Sequence, residues 1–269
     1  MTNRLRIGAL ISGGGTNLQA IIDACAASRI DGQIVFVGTD NPNAKGLERA
    51  RQRSIPTFVV DYAQILRACR EHPEAHPLPA GVDLADLARR QQLHTPNTDP
   101  ERLKRFLAGR VRAEAALIAA MAPYPFDLLV LAGFMRNLTP YFIDRVNTDP
   151  GRPRIMNIHP ALLPAFLGTD GYGDTFRYGC KIGGCTVHFI DYGEDSGPII
   201  GQRAFPIDSG DDLEAIRRNG LEQEWRLYPE CIQLFAENRL RVVEKNHTLD
   251  NGMRYQRSVV EILSNDAVE

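Results

Sequence analysis

The sequence has little of what marks several classes of protein. Its 31 Lys and Arg residues nearly balance its 33 Asp and Glu residues, so a net charge of −2 creates no global field that attracts nucleic acid or an acidic membrane. No apolar run approaches the roughly 20 residues that span a bilayer. The first residues lead directly into a strand-like run and lack the features of a signal peptide. We therefore expect a cytoplasmic protein with no membrane or nucleic-acid partner.

Cysteine is scarce, and its spacing forms no Cys-x-x-Cys pair. An odd, scattered set is typical of reduced thiols in the cytosol, and this set comprises Cys25, Cys69, Cys180, Cys185 and Cys231. The sequence His72-x-Glu74-x-His76 contains possible metal ligands, but it lies in a proline-rich stretch with nothing to preorganise them. A solvated loop explains this stretch better, and we expect no bound metal.

The glycine motifs of dinucleotide and nucleoside triphosphate sites are also missing. The loop from Ser12 to Asn17 contains three consecutive glycines, which do not fit G-x-G-x-x-G, and it lacks the G-K-[ST] of a P-loop. It follows an apolar run and precedes a helical pattern, an arrangement that brings backbone amides and the positive end of a helix to an anion. The loop therefore favours a single phosphate as its ligand over a tight turn without one.

Strands and helices alternate along the chain. Short apolar runs predict buried parallel strands, and their alternation with helices predicts an α/β fold with a mostly parallel central sheet. The predicted strands are 7–11, 34–37, 56–60, 128–132, 154–157, 185–190 and 199–205. Helices are predicted at 18–25 and 44–53, and a third predicted helix ends near Met121. The last predicted helix runs from about 211 to 237, and Pro229 kinks or divides it.

Two segments do not fit this alternation. Residues 62–112 are rich in proline, and a structureless loop of that length is unusual in a compact domain. We interpret them as an insertion with helices of its own, for example at 83–92. Residues 244–269 are polar and are interpreted as a peripheral tail.

Polar residues in the second half supply groups for carbonyl chemistry. Asn157 and His159 alternate along an extended segment, so both side chains point to one face. An Asn amide donates to a developing oxyanion, and a protonated His does likewise. Asp195 lies in a turn; as a functional residue it would be a carboxylate near His159 that keeps the imidazole charged and accepts a proton through water. Each residue alone also fits a plain structural role, and His188 fits a residue packed behind the site.

The order of these segments resembles the glycinamide ribonucleotide formyltransferases of the folate-dependent formyltransferase superfamily. The resemblance covers about residues 6–61 and 126–242, and five segments carry it: 11–21, 46–50, 131–136, 157–164 and 195–200. It implies a Rossmann-like formyltransferase domain over residues 1–243. The phosphate-binding half would span about 1–145, and the catalytic and folate half 146–243.

The resemblance also implies a role for individual residues. The backbone amides of Gly15, Thr16 and Asn17 would hold the substrate phosphate, and Glu224 would bind ribose hydroxyls. Asn157, His159 and Asp195 would be the catalytic residues. The folate pterin slot would be lined by Met135, Arg136, Leu138, Ile155, Ile190 and Asp191. The co-substrate would be 10-formyltetrahydrofolate, attacked directly by the amine of glycinamide ribonucleotide, without a metal or a covalent enzyme intermediate.

Three departures from the family pattern leave the acceptor open. Leu221 stands where a phosphate-binding Gln is usual, the loop 168–174 is more acidic than usual, and the insertion at 62–112 is absent from compact members. The alternatives are an enzyme that formylates another amine or hydroxylamine, such as an amino sugar nucleotide or hydroxyornithine, and a hydrolase of the same folate. A binding protein without catalysis is a further alternative. We expect small-molecule substrates and a monomer or homodimer.

Overall fold

The computed structural model describes residues 4–95, 97–149 and 151–264. The strands of its central sheet are β1 (Leu5–Ile11), β2 (Gly32–Thr39), β3 (Thr57–Val59), β4 (Leu128–Leu131), β5 (Ile155–His159), β6 (Ile182–Phe189) and β7 (Ile199–Pro206). They lie in the order β3-β2-β1-β4-β5-β6-β7. The first five strands in this order are parallel, whereas β6 and β7 run antiparallel to their neighbours. The predicted mostly parallel α/β sheet is confirmed.

Helices flank the sheet. They are α1 (Thr16–Ala26), α2 (Gly46–Arg51), α3 (Tyr62–Glu71), α4 (Leu84–Arg90), α5 (Pro100–Met121), α6 (Pro140–Val146), α7 (Gly171–Arg177) and α8 (Leu213–Ala236). Apolar residues of β1 alternate between two clusters, with Ile7 and Ile11 packed on the side of α1 and α8, and Leu10 on the side of α5. Because both faces are covered, the strands are continuous apolar runs, and their positions could be predicted from sequence.

The segment 62–112 contains helices, as predicted, but its far boundary divides an element of the main fold. The predicted helix at 83–92 is α4, capped by Asp83, whose carboxylate accepts from the backbone nitrogen of Ala85 at 2.8 Å. Helix α5 starts inside the segment and continues to Met121, and its second half packs against the sheet. The segment is therefore built into the domain at α5. Residue 96 lies outside the described residues.

Two expectations about the C-terminal part need correction. Helix α8 continues through Pro229 without division, because its buried side chains, among them Tyr228 and Ile232, hold it against the core. The predicted tail contains a hairpin of β8 (Leu240–Thr248) and β9 (Arg254–Ile262), so the division at residue 243 falls inside a strand. Residues 265–269 of the predicted tail lie outside the described residues.

All five cysteines are free thiols, as predicted. Burial raises the pKa of the Cys25 thiol to about 11 and that of Cys185 to about 12, so both stay protonated and unreactive at neutral pH. Within the described ranges, none of the helices combines the length and the apolar character that crossing a membrane needs. In the same part of the chain, no three His, Cys, Asp or Glu side chains are grouped so as to hold a metal ion.

Candidate active site

Strand β5 presents two polar side chains at the edge of a cavity. Asn157 and His159 both line it, whereas Met156, which directly precedes them, is buried in an apolar cluster. This alternation is the two-residue period of a strand. The sequence therefore predicted their shared face correctly, although the strand continues beyond its predicted end at residue 157 and includes His159.

His159 is held between two oxygen atoms. Its Nδ1 lies 3.2 Å from Oδ2 of Asp195, and its Nε2 lies 2.8 Å from the carbonyl oxygen of Phe166. The same Asp195 oxygen accepts from the backbone nitrogen of Gly168 at 2.9 Å. Because both neighbours of the ring are oxygen atoms, a ring nitrogen that bonds to its neighbour does so as a donor.

His188 lies behind Asn157 on the neighbouring strand, in register with it. Burial lowers the pKa of His188, against the opposing charge of Asp195, and the ring is therefore neutral. Its Nδ1 is 3.0 Å from the carbonyl oxygen of Phe189, and its Nε2 is 3.2 Å from Nδ2 of Asn157. Donation from Nδ1 leaves Nε2 to accept from the amide. His188 thereby fixes which way the Asn157 amide faces.

These side chains open onto a cavity of about 480 Å³ at the carboxyl ends of β4 and β5, where open α/β sheets bind ligands. The predicted site residues that line it are Asn17, Met135, Arg136, Leu138, Asn157, His159, Ile190, Asp195 and Glu224. The others, which are Gly15, Thr16, Ile155, His188 and Asp191, are not in its lining.

Each residue outside the lining has a physical reason for its position. Ile155 is fully buried in the apolar core. Thr16 faces a neighbouring cavity at the start of α1. Asp191 is turned toward its own loop, where Oδ1 accepts from the backbone nitrogen of Gly193 at 3.0 Å and from Oγ of Ser196 at 2.6 Å. We infer that Asp191 shapes the loop and does not reach into the cavity.

The glycine loop leads into α1 through a left-handed residue. Gly15 has φ of +69°, and a Cβ there would lie 2.9 Å from the Cα of Gly46, so a larger residue does not fit. The loop is fixed by the backbone nitrogen of Gly46, which donates to the carbonyl oxygen of Gly13 at 2.9 Å. The amides of Thr16 and Asn17 belong to the first turn of α1, where helical partners are missing. Together they form a site suited to an anion.

Asn17 joins this loop to α8. Its Nδ2 donates to Glu224 at 2.6 Å, and the hydroxyl of Tyr172 donates to the other Glu224 oxygen at 2.6 Å. Burial raises the pKa of Glu224, and the two donors oppose that shift. Oδ1 of Asn17 is buried without a hydrogen-bond partner in the described part of the chain. The cluster therefore offers oxygen acceptors to hydroxyl groups of a ligand.

A buried aspartate ties the glycine loop to the turn after β4. Asp40 accepts from Oγ of Ser12 and from Nε of Arg136, both at 2.5 Å. The same Ser12 hydroxyl accepts from the backbone nitrogen of Met135 at 2.8 Å. The network thus joins the two predicted binding segments to each other.

Sequence reasoning missed two residues on α5. Arg110 lines the cavity, and its Nη1 is buried without a hydrogen-bond partner among the described residues. Glu114, one turn later, is fully buried and accepts from the backbone nitrogen of Thr139 at 2.8 Å. Their spacing of four residues places them on one side of the helix. That spacing was the only local sign that the two residues act together, and the partner of Glu114, Thr139, is remote in sequence.

The acidic loop at 168–174 is neutralised locally. Arg177 donates to Asp170 at 2.9 Å and to Asp174 at 2.6 Å, and Arg217 donates to Asp170 at 3.1 Å. The bonds from Arg177 and Arg217 lower the pKa of Asp170. These pairs remove the expected repulsion between the loop and an anionic ligand.

Comparisons with known proteins agree with this geometry. The family model described as Formyl transferase matches residues 5–232. The phosphoribosylglycinamide formyltransferase of Haemophilus influenzae is 32% identical over 245 residues, which cover 91% of this chain and 93% of that protein. The trifunctional purine biosynthetic protein adenosine-3 of Gallus gallus is 29% identical over 90% of this chain, which spans only 20% of that longer protein.

A solved structure supports the same assignment. Glycinamide ribonucleotide transformylase 1 from Symbiobacterium toebii has a TM-score of 0.67 and 36% sequence identity, over 97% of this chain and 95% of that one. Sequence similarity, fold and site geometry all support the same family. The chain belongs to the formyl transferase family.

Proposed function

We propose that this protein transfers the formyl group of 10-formyltetrahydrofolate to the amine of glycinamide ribonucleotide, a step of de novo purine biosynthesis. One observation carries the proposal: Asn157, His159 and Asp195 converge on the cavity that Asn17 and Glu224 also line. Carbonyl chemistry and recognition of a phosphorylated sugar thus meet in one place. The names of the relatives support the same acceptor.

The acceptor is held at the start of α1. The amides of Gly15, Thr16 and Asn17 bind its phosphate, and the carboxylate of Glu224 binds its ribose hydroxyls. Asn17 and Tyr172 orient that carboxylate, each through a bond of 2.6 Å. Leu221 carries no donor, but Arg217 also lines the cavity from α8, and a ligand phosphate would share its guanidinium with Asp170.

The folate lies against the turn after β4. Met135, Leu138 and Ile190 supply apolar surface for the pterin. Arg136 is bonded to Asp40, which holds its guanidinium in a fixed place. Arg110 adds a second cation in the same cavity, and together the two attract the carboxylates of the folate tail. Ile155 and Asp191 act from outside the lining, as a core residue and as a brace of the adjoining loop.

In the reaction, the amine nitrogen adds to the formyl carbon and the carbonyl oxygen becomes an oxyanion. The amide of Asn157 donates to that oxygen, and the neutral His188 holds the amide in place. As an imidazolium, His159 would contribute positive charge at the cavity wall, beside the Asp195 carboxylate. Asp195, through water, takes the proton that the amine loses and passes it to N10 of the folate as the C–N bond breaks. The products are the formylated amine and tetrahydrofolate.

A coupled absorbance assay tests the proposal by following deformylation of a 10-formylated folate analogue with and without glycinamide ribonucleotide. Turnover that requires the ribonucleotide supports it. Turnover without an acceptor indicates a hydrolase and contradicts it. Turnover only with another amine or hydroxylamine keeps the chemistry and replaces the acceptor, and binding without turnover on any amine indicates a binding protein.

A further inference from the structure

The loop that carries Asp195 is contacted by the C-terminal hairpin. Nη2 of Arg257, on β9, donates to the carbonyl oxygen of Ser196 at 2.9 Å, although 61 residues separate the two. Ser196 directly follows Asp195. The segment that sequence reasoning treated as a peripheral tail therefore reaches the residue beside a proposed catalytic carboxylate.

The loop has a reason to need such a contact. Asp195 has φ of +49°, a left-handed conformation that is unfavourable for a non-glycine residue and persists when its surroundings hold it. On one side, the Ser196 hydroxyl donates to Asp191 at 2.6 Å. On the other side, the Ser196 carbonyl accepts from Arg257. Removing either contact frees the backbone next to Asp195.

The loop also fits tightly against β6. A Cβ at Gly197 would lie 1.9 Å from the carbonyl oxygen of Phe189, so the chain there approaches the strand as closely as glycine allows. A loosened loop cannot move closer to the strand, and any other movement of it changes the position of the Asp195 carboxylate relative to Nδ1 of His159, which is now 3.2 Å away.

The hairpin is a firm support. Val242 of β8 and Val260 of β9 pack against the apolar cluster that includes Met156 and Phe189. The base of the hairpin is closed by the backbone nitrogen of Leu263, which donates to the carbonyl of Arg239 at 2.8 Å. Arg257 is half-buried, so its guanidinium has less conformational freedom than a fully exposed one.

We propose that Arg257 is a positioning residue for Asp195: through its bond to the Ser196 carbonyl, the hairpin holds the loop that presents the Asp195 carboxylate to His159. The kinetic part of the test rests on the proposed formyl transfer. The structural part of the test does not depend on formyl transfer, so the proposed function and the positioning role can fail separately.

The kinetic test compares R257A, R257K and R254A. Arg254 begins the same strand but is exposed, and it provides a matched control. We expect R257A to lower kcat about ten-fold, because small misplacements of catalytic groups have effects of that order or larger, with KM for both substrates within two-fold of the wild-type value. R257K retains a donor and should recover at least half of the lost activity on a logarithmic scale. R254A should match the wild type.

The structural test uses no substrate. Hydrogen exchange over residues 190–198 should be faster in R257A than in the wild type and R254A, with little change in β5. Unchanged exchange with unchanged kcat overturns the proposal, and so does a loss that R254A shares or that R257K fails to repair. If the wild-type protein shows no formyl transfer, the proposed function is overturned. The hydrogen-exchange comparison by itself then tests the positioning role of Arg257. If R257A does not fold, R257Q takes its place in both measurements.

Discussion

Nδ1 of His159 and Oδ2 of Asp195 lie 3.2 Å apart at the wall of the cavity, and the side chain of His159 is only 3% exposed. A second oxygen, the carbonyl of Phe166, accepts from the opposite ring nitrogen. These two neighbours fix the orientation of the imidazole. The pair therefore places an imidazole next to a carboxylate where the proposed reaction develops an oxyanion and releases a proton.

Replacing either member of this pair should abolish most of the turnover. In Asp195→Asn the acceptor for the released proton is lost, and in His159→Ala the positive charge is lost. Each should lower kcat by roughly 10²- to 10⁴-fold, the usual contribution of a general acid or base. The coupled absorbance assay measures both, with Asp250→Asn, an exposed residue of the hairpin turn, as the control. Unchanged rates in both variants would refute the mechanism.

The site shows what a sequence pattern can and cannot predict. Asn157 and His159 could be placed together because a strand has a period of two residues. The contact of His159 with Asp195 depends on a loop 36 residues further along, and no local pattern reveals it. Only the family resemblance indicated that Asp195 belongs to the site. Tyr172 had no such signal, since its contact with Glu224 forms only when α7 meets α8.

The elements of the fold likewise differ in how far the sequence predicts them. Strands buried on both faces, such as β1, are apolar runs that stand out in the sequence. The hairpin does not, because β8 from Glu244 to Thr248 is exposed on both faces and carries no apolar alternation. The sequence predicts that Pro229 kinks or divides α8, since an interior proline costs about 3 kcal/mol or more, and the helix is undivided. Burial of its neighbours Tyr228 and Ile232 offsets that cost, and burial is a tertiary property.

Tyr172→Phe should weaken binding of the ribonucleotide more than it slows catalysis. The hydroxyl donates to a buried oxygen of Glu224 at 2.6 Å, and its loss leaves that oxygen without its partner. We expect KM for glycinamide ribonucleotide to rise about ten-fold, with kcat within about three-fold of the wild-type value. Steady-state kinetics with the ribonucleotide varied will measure this. Tyr178→Phe removes an 81% exposed hydroxyl and should have no effect. An unchanged KM in Tyr172→Phe would exclude the role of Glu224 in ribose binding.

Arg110→Ala should weaken binding of the formylated folate and leave binding of the ribonucleotide unchanged. Its guanidinium lines the cavity and has a buried nitrogen without a partner in the described chain, so a ligand carboxylate can satisfy it. We expect KM for the formylated folate to rise roughly ten-fold or more, the cost of losing one charged hydrogen bond. The comparison is with Arg105→Ala, an exposed arginine of the same helix. Equal KM values for the two variants would remove Arg110 from the folate site.

The pH dependence of stability should contain a contribution from Glu114. Burial raises the pKa of its carboxyl from 4.5 to about 7, against the opposing bonds from Thr139. The folded-state pKa thus lies above the unfolded value. The contribution of Glu114 to the free energy of unfolding is therefore fully present below about pH 4.5 and is lost as the pH rises toward 7. The shift corresponds to a loss on the order of 3 kcal/mol in the free energy of unfolding, complete above pH 7.

Glu114→Gln should remove this loss. A Gln side chain reproduces the protonated carboxyl, because its oxygen accepts from the Thr139 nitrogen while its amide donates to the Thr139 hydroxyl. Urea unfolding at pH 5, 6, 7 and 8 should therefore show a flatter profile for the variant, which should be the more stable protein at pH 8. Glu101→Gln, exposed at the start of the same helix, should keep the wild-type slope. If Glu114→Gln keeps that slope too, the pH dependence arises from other groups, and Glu114 is ionised in the folded protein throughout this range.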